Sequence, residues 1–534
     1  MTVVPSPRAP VRGRAMVSTS QPLAAQAGLA ALQRGGNAVD AALAAAITLT
    51  VVEPVSNGVG GDLMALLWQP GSAEPVLALN AGGRSPRAWT PRRFAGLATM
   101  PLTGWDAVTV PGAPAGWRRL SERAGRLPLA TLFDDAIRHA DEGFEVTPVV
   151  AAKWAREAQR LGDVPGFAAQ FLPGGRAPMA GDRFRPPHLA DTLRDLAGSG
   201  CESFYRGRLA HSLADAARAA GAALDLGDLA QAWREIGFVE PLTLDYRGHR
   251  VLQLPPNGQG VVTLAALGML SHFDPVRLGS GSVEAQHLAI EALKLAFVDS
   301  YRGLADPATM REQVADWMQP ARLARQAARI DPARAGDHGA AVPPWGGTVY
   351  VAAADASGMV VSLIQSNFVG FGSGVVVPGT GISLHDRGAG FTLQRWHANE
   401  VGGGKRPLHT IIPALVLKDD RPWAVLGVTG GPIQPQGQVQ LLLQMIDGGR
   451  DPQAAIDALR WKLEHKSAGL QLDLEPGYPA AAEAGLRSLG HAAGPPGITG
   501  GDFGGAFAIV RDPVDAQGWL GAADPRRDGL VAAM

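Results

Sequence analysis

Between residues 21 and 54 the apolar positions recur at helical spacing, and the run is interrupted once, at Gly35-Gly36. The pattern predicts two helices. The glycine pair suits the C-terminus of the first, and Asn37 can cap the second. The second, from 38 to about 49, is alanine-rich nearly all round. A helix with no polar face can be buried tightly between layers. "NGVGGDLMALLW" then reads as a glycine turn and a strand, and "VLALNAGGRSPRA" as another strand and a loop. Residues 129–230 are mainly helical in pattern, "LTLDYRGHRVLQLPP" alternates like a hairpin, and "VEAQHLAIEALKLAFVDSYRG" is a long amphipathic helix. From about 321 to 347 the apolar pattern fades into Ala, Arg, Gly and Pro, which predicts a flexible linker. After Thr348 short strands and glycine turns follow, as far as the helix "QVQLLLQMIDGG". Strands alternating with runs of helices predict a layered α/β (α+β) architecture.

Composition narrows the function. A chain of 534 residues, 46% hydrophobic and 18% charged, is expected to be globular with a large layered core. The net charge of −1, with no block of like charges, argues against nucleic acid and membrane surfaces as partners. No stretch reaches the ~20 apolar residues of a membrane span, and the N-terminus has no apolar run of signal-peptide length. A cytoplasmic protein is expected. The single cysteine, Cys201, excludes an internal disulfide and is expected to be a small buried hydrophobe. Gly-x-Ser-x-Gly, His-Glu-x-x-His and Gly-Lys-Ser/Thr motifs are missing from the sequence, so no cofactor or metal is expected.

The candidate chemistry lies at the end of the linker. "TVYVAAAD" and "MVVSLIQS" flank the tight-turn tetrapeptide "DASG". Folding this hairpin about residues 355–358 sets Thr348 opposite Gln365–Ser366, to within one residue of register. Thr348 thus starts a strand directly after Gly346-Gly347, with a hydroxyl across from it and the glycine-rich "NFVGFGSGVVVPGTGI" beyond. A threonine hydroxyl is a weak nucleophile without a nearby base. Cleavage of the Gly347–Thr348 bond would give Thr348 a free α-amine, of ordinary pKa ~7.7–8.0, to act as that base.

Six stretches, met in order along the chain, then carry a resemblance: residues 21–61, "AVTVPGAPAGW", the Thr348 hairpin, "GFGSGVVVPGTGI", "GGKRPLHTIIPALVLKD" and "GAADPR". They resemble the gamma-glutamyltransferase family of N-terminal-nucleophile hydrolases, and the likeness runs from about residue 14 to the end. It implies a four-layer α-β-β-α sandwich. It also implies a precursor that cuts itself into a large subunit, 1–347, and a small catalytic subunit, 348–534, which together form one intertwined catalytic domain. A dimer of the processed heterodimer is compatible with it. By position, Thr348 matches the nucleophile and Ser366 a second hydroxyl. Gly430 and Gly431 match the pair whose backbone N–H groups form an oxyanion hole, a feature typically worth ~10²–10³ in rate per donor.

The grip on a γ-glutamyl group is missing. The family's arginine falls at Gly82, its asparagine at Phe368, its aspartate at Gly390 and its serine pair at His409-Thr410. Each charge-assisted contact is worth roughly 1.5–3 kcal/mol, so the scissile chemistry is kept while substrate recognition is rewritten. Arg387, His385, His409, Thr410, Phe368 and Arg84 are the candidate replacements. A guanidinium suits a carboxylate, which favours a small acyl group with a carboxylate and no α-amine, as in oxamate. The texture is closer to the oxamate amidohydrolase and glutathione-hydrolase-like branch than to the transpeptidases. The alternatives are an enzyme acting on γ-glutamyl amides and a non-catalytic relative.

Overall fold

The computed structural model describes residues 8–339, 346–466, 469–494 and 503–534. The two N-terminal helices form at Pro22–Gln33 and Ala38–Val52. Asn37 closes a reciprocal cap. Its side-chain oxygen accepts from the Val39 and Asp40 amides, and the Asp40 carboxylate accepts from the Asn37 amide at 2.9 Å. Every residue of the second helix is buried, as its missing polar face requires.

That helix covers one of two seven-stranded antiparallel sheets. In spatial order the first sheet runs Leu530–Ala533, Met16–Thr19, Gly347–Ala354, Val360–Phe368, Asp62–Trp68, Val76–Ala81, Gly237–Val239. The second runs Val11–Gly13, Trp519–Ala523, Ala506–Arg511, Arg421–Val428, Ala414–Lys418, His249–Gln253, Leu242–Tyr246. Both interleave strands from before and after residue 347.

Side chains on a strand alternate between faces, and the central strands use this to serve two cores. Val349, Val351 and Ala353 join Leu43, Ile47 and Leu63 beneath the N-terminal helices. Tyr350, Ala352 and Ala354 point the other way and meet Met64, Leu415 and Phe507 between the sheets. A third core, with Leu264, Leu293, Val416 and Val439, packs the helices Gly260–Leu270, Val283–Gly303 and Ile433–Leu442 on the far side of the second sheet. The result is the four-layer α-β-β-α sandwich. Cys201 is buried, and burial raises its thiol pKa. Among the described residues no helix is long and apolar enough to cross a membrane.

The expected linker needs correcting at its start. Pro320–Ala327 is a helix that buries Leu323 and Ala327, and residues 331–338 are hydrogen-bonded to the body of the protein. An eight-residue helix with two buried positions leaves little periodicity among alanines and arginines. Residues 340–345 of that stretch lie outside the described residues.

The close approach of the two sheets is testable at Gly427, where a Cβ would overlap the Tyr350 ring. Gly427→Ala is expected to lower unfolding stability by about 1–3 kcal/mol, read from the denaturant midpoint. An unchanged midpoint would contradict this packing.

Candidate active site

The hairpin pairs Val349 with Gln365 and Gly347 with Phe368. One residue on the first strand, Thr348, therefore faces two on the second, Ser366 and Asn367. The ladder that pairs Ala354 with Val360 and Val349 with Gln365 carries Thr348 to Ser366, within the expected register, and the irregularity between Gly347 and Val349 lifts Thr348 out of the regular pairing. The turn at 355–358 closes with the Gly358 amide donating to the Asp355 carbonyl at 3.1 Å.

Around Thr348 the polar groups converge on one carbonyl. The Thr348 hydroxyl donates to the Gly347 oxygen at 2.6 Å, and the Ser366 hydroxyl donates to the same oxygen at 2.6 Å. Ser366 Oγ is oriented by accepting from the Phe368 amide at 2.8 Å, and it lies 3.3 Å from Thr348 Oγ1. Gln434 Nε2 approaches Thr348 Oγ1 at 3.5 Å and donates to the Gly430 carbonyl, while its Oε1 accepts from the Ile412 amide. Gly430 and Gly431 are adjacent as expected, but the Gly430 carbonyl, at 3.3 Å, faces Thr348 Oγ1. Gly430 has φ +110°, and a Cβ there would lie 2.6 Å from Ile433, so only glycine fits. Gly346 packs so closely on this pair that a Cβ would overlap the Gly431 nitrogen. Thr348 and Ser366 are both buried.

A second polar cluster surrounds Asp62, which sequence reasoning missed. Asp62 opens a buried strand, and its Oδ1 accepts from the Gly83 and Gly112 amides at 3.3 and 3.1 Å. Its Oδ2 accepts from His409 Nε2 at 3.0 Å and lies 3.9 Å from Arg387 Nε. Burial pushes the Asp62 carboxyl up to about 7, against the opposing pull of Arg387. His409 Nδ1 accepts from the Ile411 amide, and burial drives its pKa well below the ordinary value. His385 donates from Nε2 to the Thr109 carbonyl and accepts at Nδ1 from the Arg387 amide, and burial lowers its pKa to about 3. Both histidines are neutral with both nitrogens engaged, so they offer no free donor.

Arg387 differs. It is fully buried, its Nη1 donates to Thr410 Oγ1 at 3.0 Å, and its Cζ lies 4.3 Å from the Phe368 ring centre. Its Nε and Nη2 have no hydrogen-bond partner among the described residues. Burial lowers its pKa only to about 10, so it remains a cation. With Asp62 no nearer than 3.9 Å, two donors on this buried guanidinium are left without an acceptor. Arg84 is already committed, to Glu235 at 2.8 Å and Asp306 at 2.7 Å. At Gly82 a Cβ would meet His409 at 3.3 Å, and at Gly390 it would come 2.6 Å from the Leu408 carbonyl. A side chain at Gly390 therefore requires the backbone at Leu408 to shift, whereas one at Gly82 asks its neighbours to give by only a few tenths of an ångström.

Comparison with known proteins agrees with this geometry. The profile of the gamma-glutamyltranspeptidase family matches residues 24–534. The chain belongs to the gamma-glutamyltranspeptidase family. Among its relatives, the oxamate amidohydrolase proenzyme of Klebsiella pneumoniae is 39% identical over 96% of both chains. The glutathione hydrolase-like YwrD proenzyme of Bacillus subtilis is 35% identical, over 97% of this chain and 98% of that one. The crystal structure of cephalosporin acylase from Bacillus halodurans superposes with a TM-score of 0.92 at 41% identity, covering 100% of this chain and 98% of the other. As a gamma-glutamyltranspeptidase-family member similar to named hydrolases and acylases, the chain is an enzyme that hydrolyses amides.

Asp386 gives a pH test of the buried charges. Its Oδ1 accepts from the Val369 amide, its Oδ2 has no partner among the described residues, and burial raises its pKa to about 7. The folded state therefore binds the extra proton between about pH 4 and 7, and stability falls as pH rises through that window. Asp386→Asn is expected to flatten this fall, by up to about 1.4 kcal/mol per pH unit. Unfolding curves at several pH values check it, and parallel profiles would contradict it.

Proposed function

We propose that this chain is a proenzyme that cuts itself between Gly347 and Thr348 and then hydrolyses amides of a small acidic acyl group, oxamate-like in chemistry. The observation that carries the first half is the Gly347 carbonyl held between the Thr348 and Ser366 hydroxyls. Thr348 Oγ attacks the Gly347 carbon and gives up its proton. The C–N bond to Thr348 breaks, and its nitrogen leaves protonated as the new α-amine. Water then hydrolyses the ester, giving a Gly347 carboxylate and a free threonine hydroxyl. During this step Ser366 stabilises the charge developing on the Gly347 oxygen.

In the cut enzyme the same hydroxyl attacks the substrate carbonyl, with the α-amine taking its proton and passing it to the leaving amine. Water then releases the acid. The Gly430 and Gly431 N–H groups stabilise the oxyanion in this reading. Because the Gly430 carbonyl faces Thr348 in the uncut chain, their use requires the peptide to reorient when residues 346–347 withdraw.

The unspent donors of Arg387, backed by Thr410 and Phe368, favour a substrate carboxylate. The 39% identity to an oxamate amidohydrolase supports the same choice. A γ-glutamyl group is disfavoured because glycine stands at 82 and 390, where the family carries the arginine and aspartate that grip it. Turnover of oxamate, glutathione, a γ-glutamyl anilide and a glutaryl amide by purified cut protein separates these substrates. Oxamate should lead, and preferential turnover of the anilide would overturn the choice.

Thr348→Ala is expected to leave one uncut chain on a denaturing gel, with turnover at background. Cleavage that persisted would move the nucleophile elsewhere. Arg387→Ala should raise KM for an anionic amide roughly 10–100-fold while leaving a neutral amide nearly unchanged. Equal effects on both would remove the carboxylate role.

A further inference from the structure

Outside the site, a buried charged network grips the stretch that leads to the proposed cut. Glu291 and Lys294 lie one turn apart on the helix Val283–Gly303 and pair at 2.7 Å. Lys294 Nζ also donates to the Gly336 carbonyl at 3.2 Å and faces His491 Nδ1 at 3.5 Å. Glu291 Oε2 accepts from the Gly336 amide at 2.9 Å and from His338 Nε2 at 2.8 Å. One turn earlier, His287 Nε2 donates to the Asp331 carbonyl, and its Nδ1 meets His491 Nε2, each at 2.8 Å. The Ala335 amide donates to the Leu489 carbonyl. At Gly336 a Cβ would come 2.5 Å from the His338 ring and 3.2 Å from Glu291, so the segment is fitted to the network.

His287, Glu291 and His491 place their ligand atoms within 4.8 Å of one another, a spacing a metal could use. The Lys294 ammonium already supplies the cation, however, and the hydrogen bonds close through it. Burying such groups is costly, and an apolar plug of the same shape would stabilise at least as well. Direction is what the polar network adds. It binds a named run of backbone, residues 331–338, whose Ala, Arg and Gly composition gives it little apolar reason to dock. His338 lies nine residues before Gly347, a span of at most ~30 Å.

We propose that His338, Glu291 and Lys294 are positioning residues for self-cleavage, an inference that rests on the proposed cut. They fix the upstream arm of the scissile peptide, while Ser366 and the strand pairing fix its downstream side. Holding both ends restricts rotation of the scissile peptide and keeps the Gly347 carbonyl presented to Thr348 Oγ. After the cut, the same contacts hold the large subunit's new tail, and His491 ties it to the small subunit.

The test compares wild type, His338→Leu, which loses the donor, and His338→Gln, which keeps one. Newly made protein is followed over time on a denaturing gel, and fully cut material of each is assayed with the preferred amide substrate. His338→Leu should slow cleavage about tenfold, His338→Gln should restore most of it, and the cut forms should share one kcat/KM. Glu291→Gln combined with Lys294→Met, which removes both charges together, should slow cleavage similarly and serves if His338→Leu does not fold. A folded variant lacking the network that cuts at the wild-type rate overturns the inference. A loss of kcat/KM in cut material equal to the slowing of cleavage does so too. A wild-type chain that never cuts overturns the parent proposal, and the gel separates that result from a variant-specific effect.

Discussion

The arrangement depends on one oxygen atom, the carbonyl of Gly347, which two hydroxyls hold at 2.6 Å. Those bonds exist because Thr348 leaves the regular ladder, so one residue of its strand faces two of the next. The irregularity persists because the rest of the hairpin is locked. Its two faces fill two different cores, and a slip by one residue would turn every buried side chain to the wrong side. Packing between four layers thus sets a hydroxyl against a carbonyl.

Electrostatics explains how the neighbourhood differs from a γ-glutamyl site. A buried arginine, a buried aspartate and two buried histidines cluster together, and burial keeps the histidines neutral and raises the aspartate. Arg387, turned by Thr410 and walled by Phe368, stays a cation within this cluster. Glycines at 82 and 390 let His409 and the Leu408 carbonyl come close. In the proposed reading, specificity moves from the positions where the family carries charge to an arginine beside them.

Much of this was legible in sequence. Helical spacing and the Asn37 cap gave the N-terminal helices, because both are local signals. The turn at 355–358 gave the hairpin and the approach of Thr348 to Ser366. Asp62 and Gln434 were not found, since Asp62 is a lone charged residue opening an apolar strand, Gln434 is one of four glutamines at alternate positions from 434 to 440, and only the fold brings each to the site. His409 and His385 looked like donors, yet their free nitrogens are consumed by Asp62, Thr109 and backbone amides. Arg84 sat at the right distance along the chain but is bound by two carboxylates from remote segments. The short helix at 320–327 was hidden because two buried side chains make too weak a period.

The most direct measurement is the intact mass of catalytically active protein, with the first residues of the smaller piece read by sequencing. The account predicts two polypeptides, 1–347 and 348–534, the second beginning Thr-Val-Tyr with a free amine. Full activity in a single unbroken chain, or a smaller piece that begins anywhere else, would contradict it.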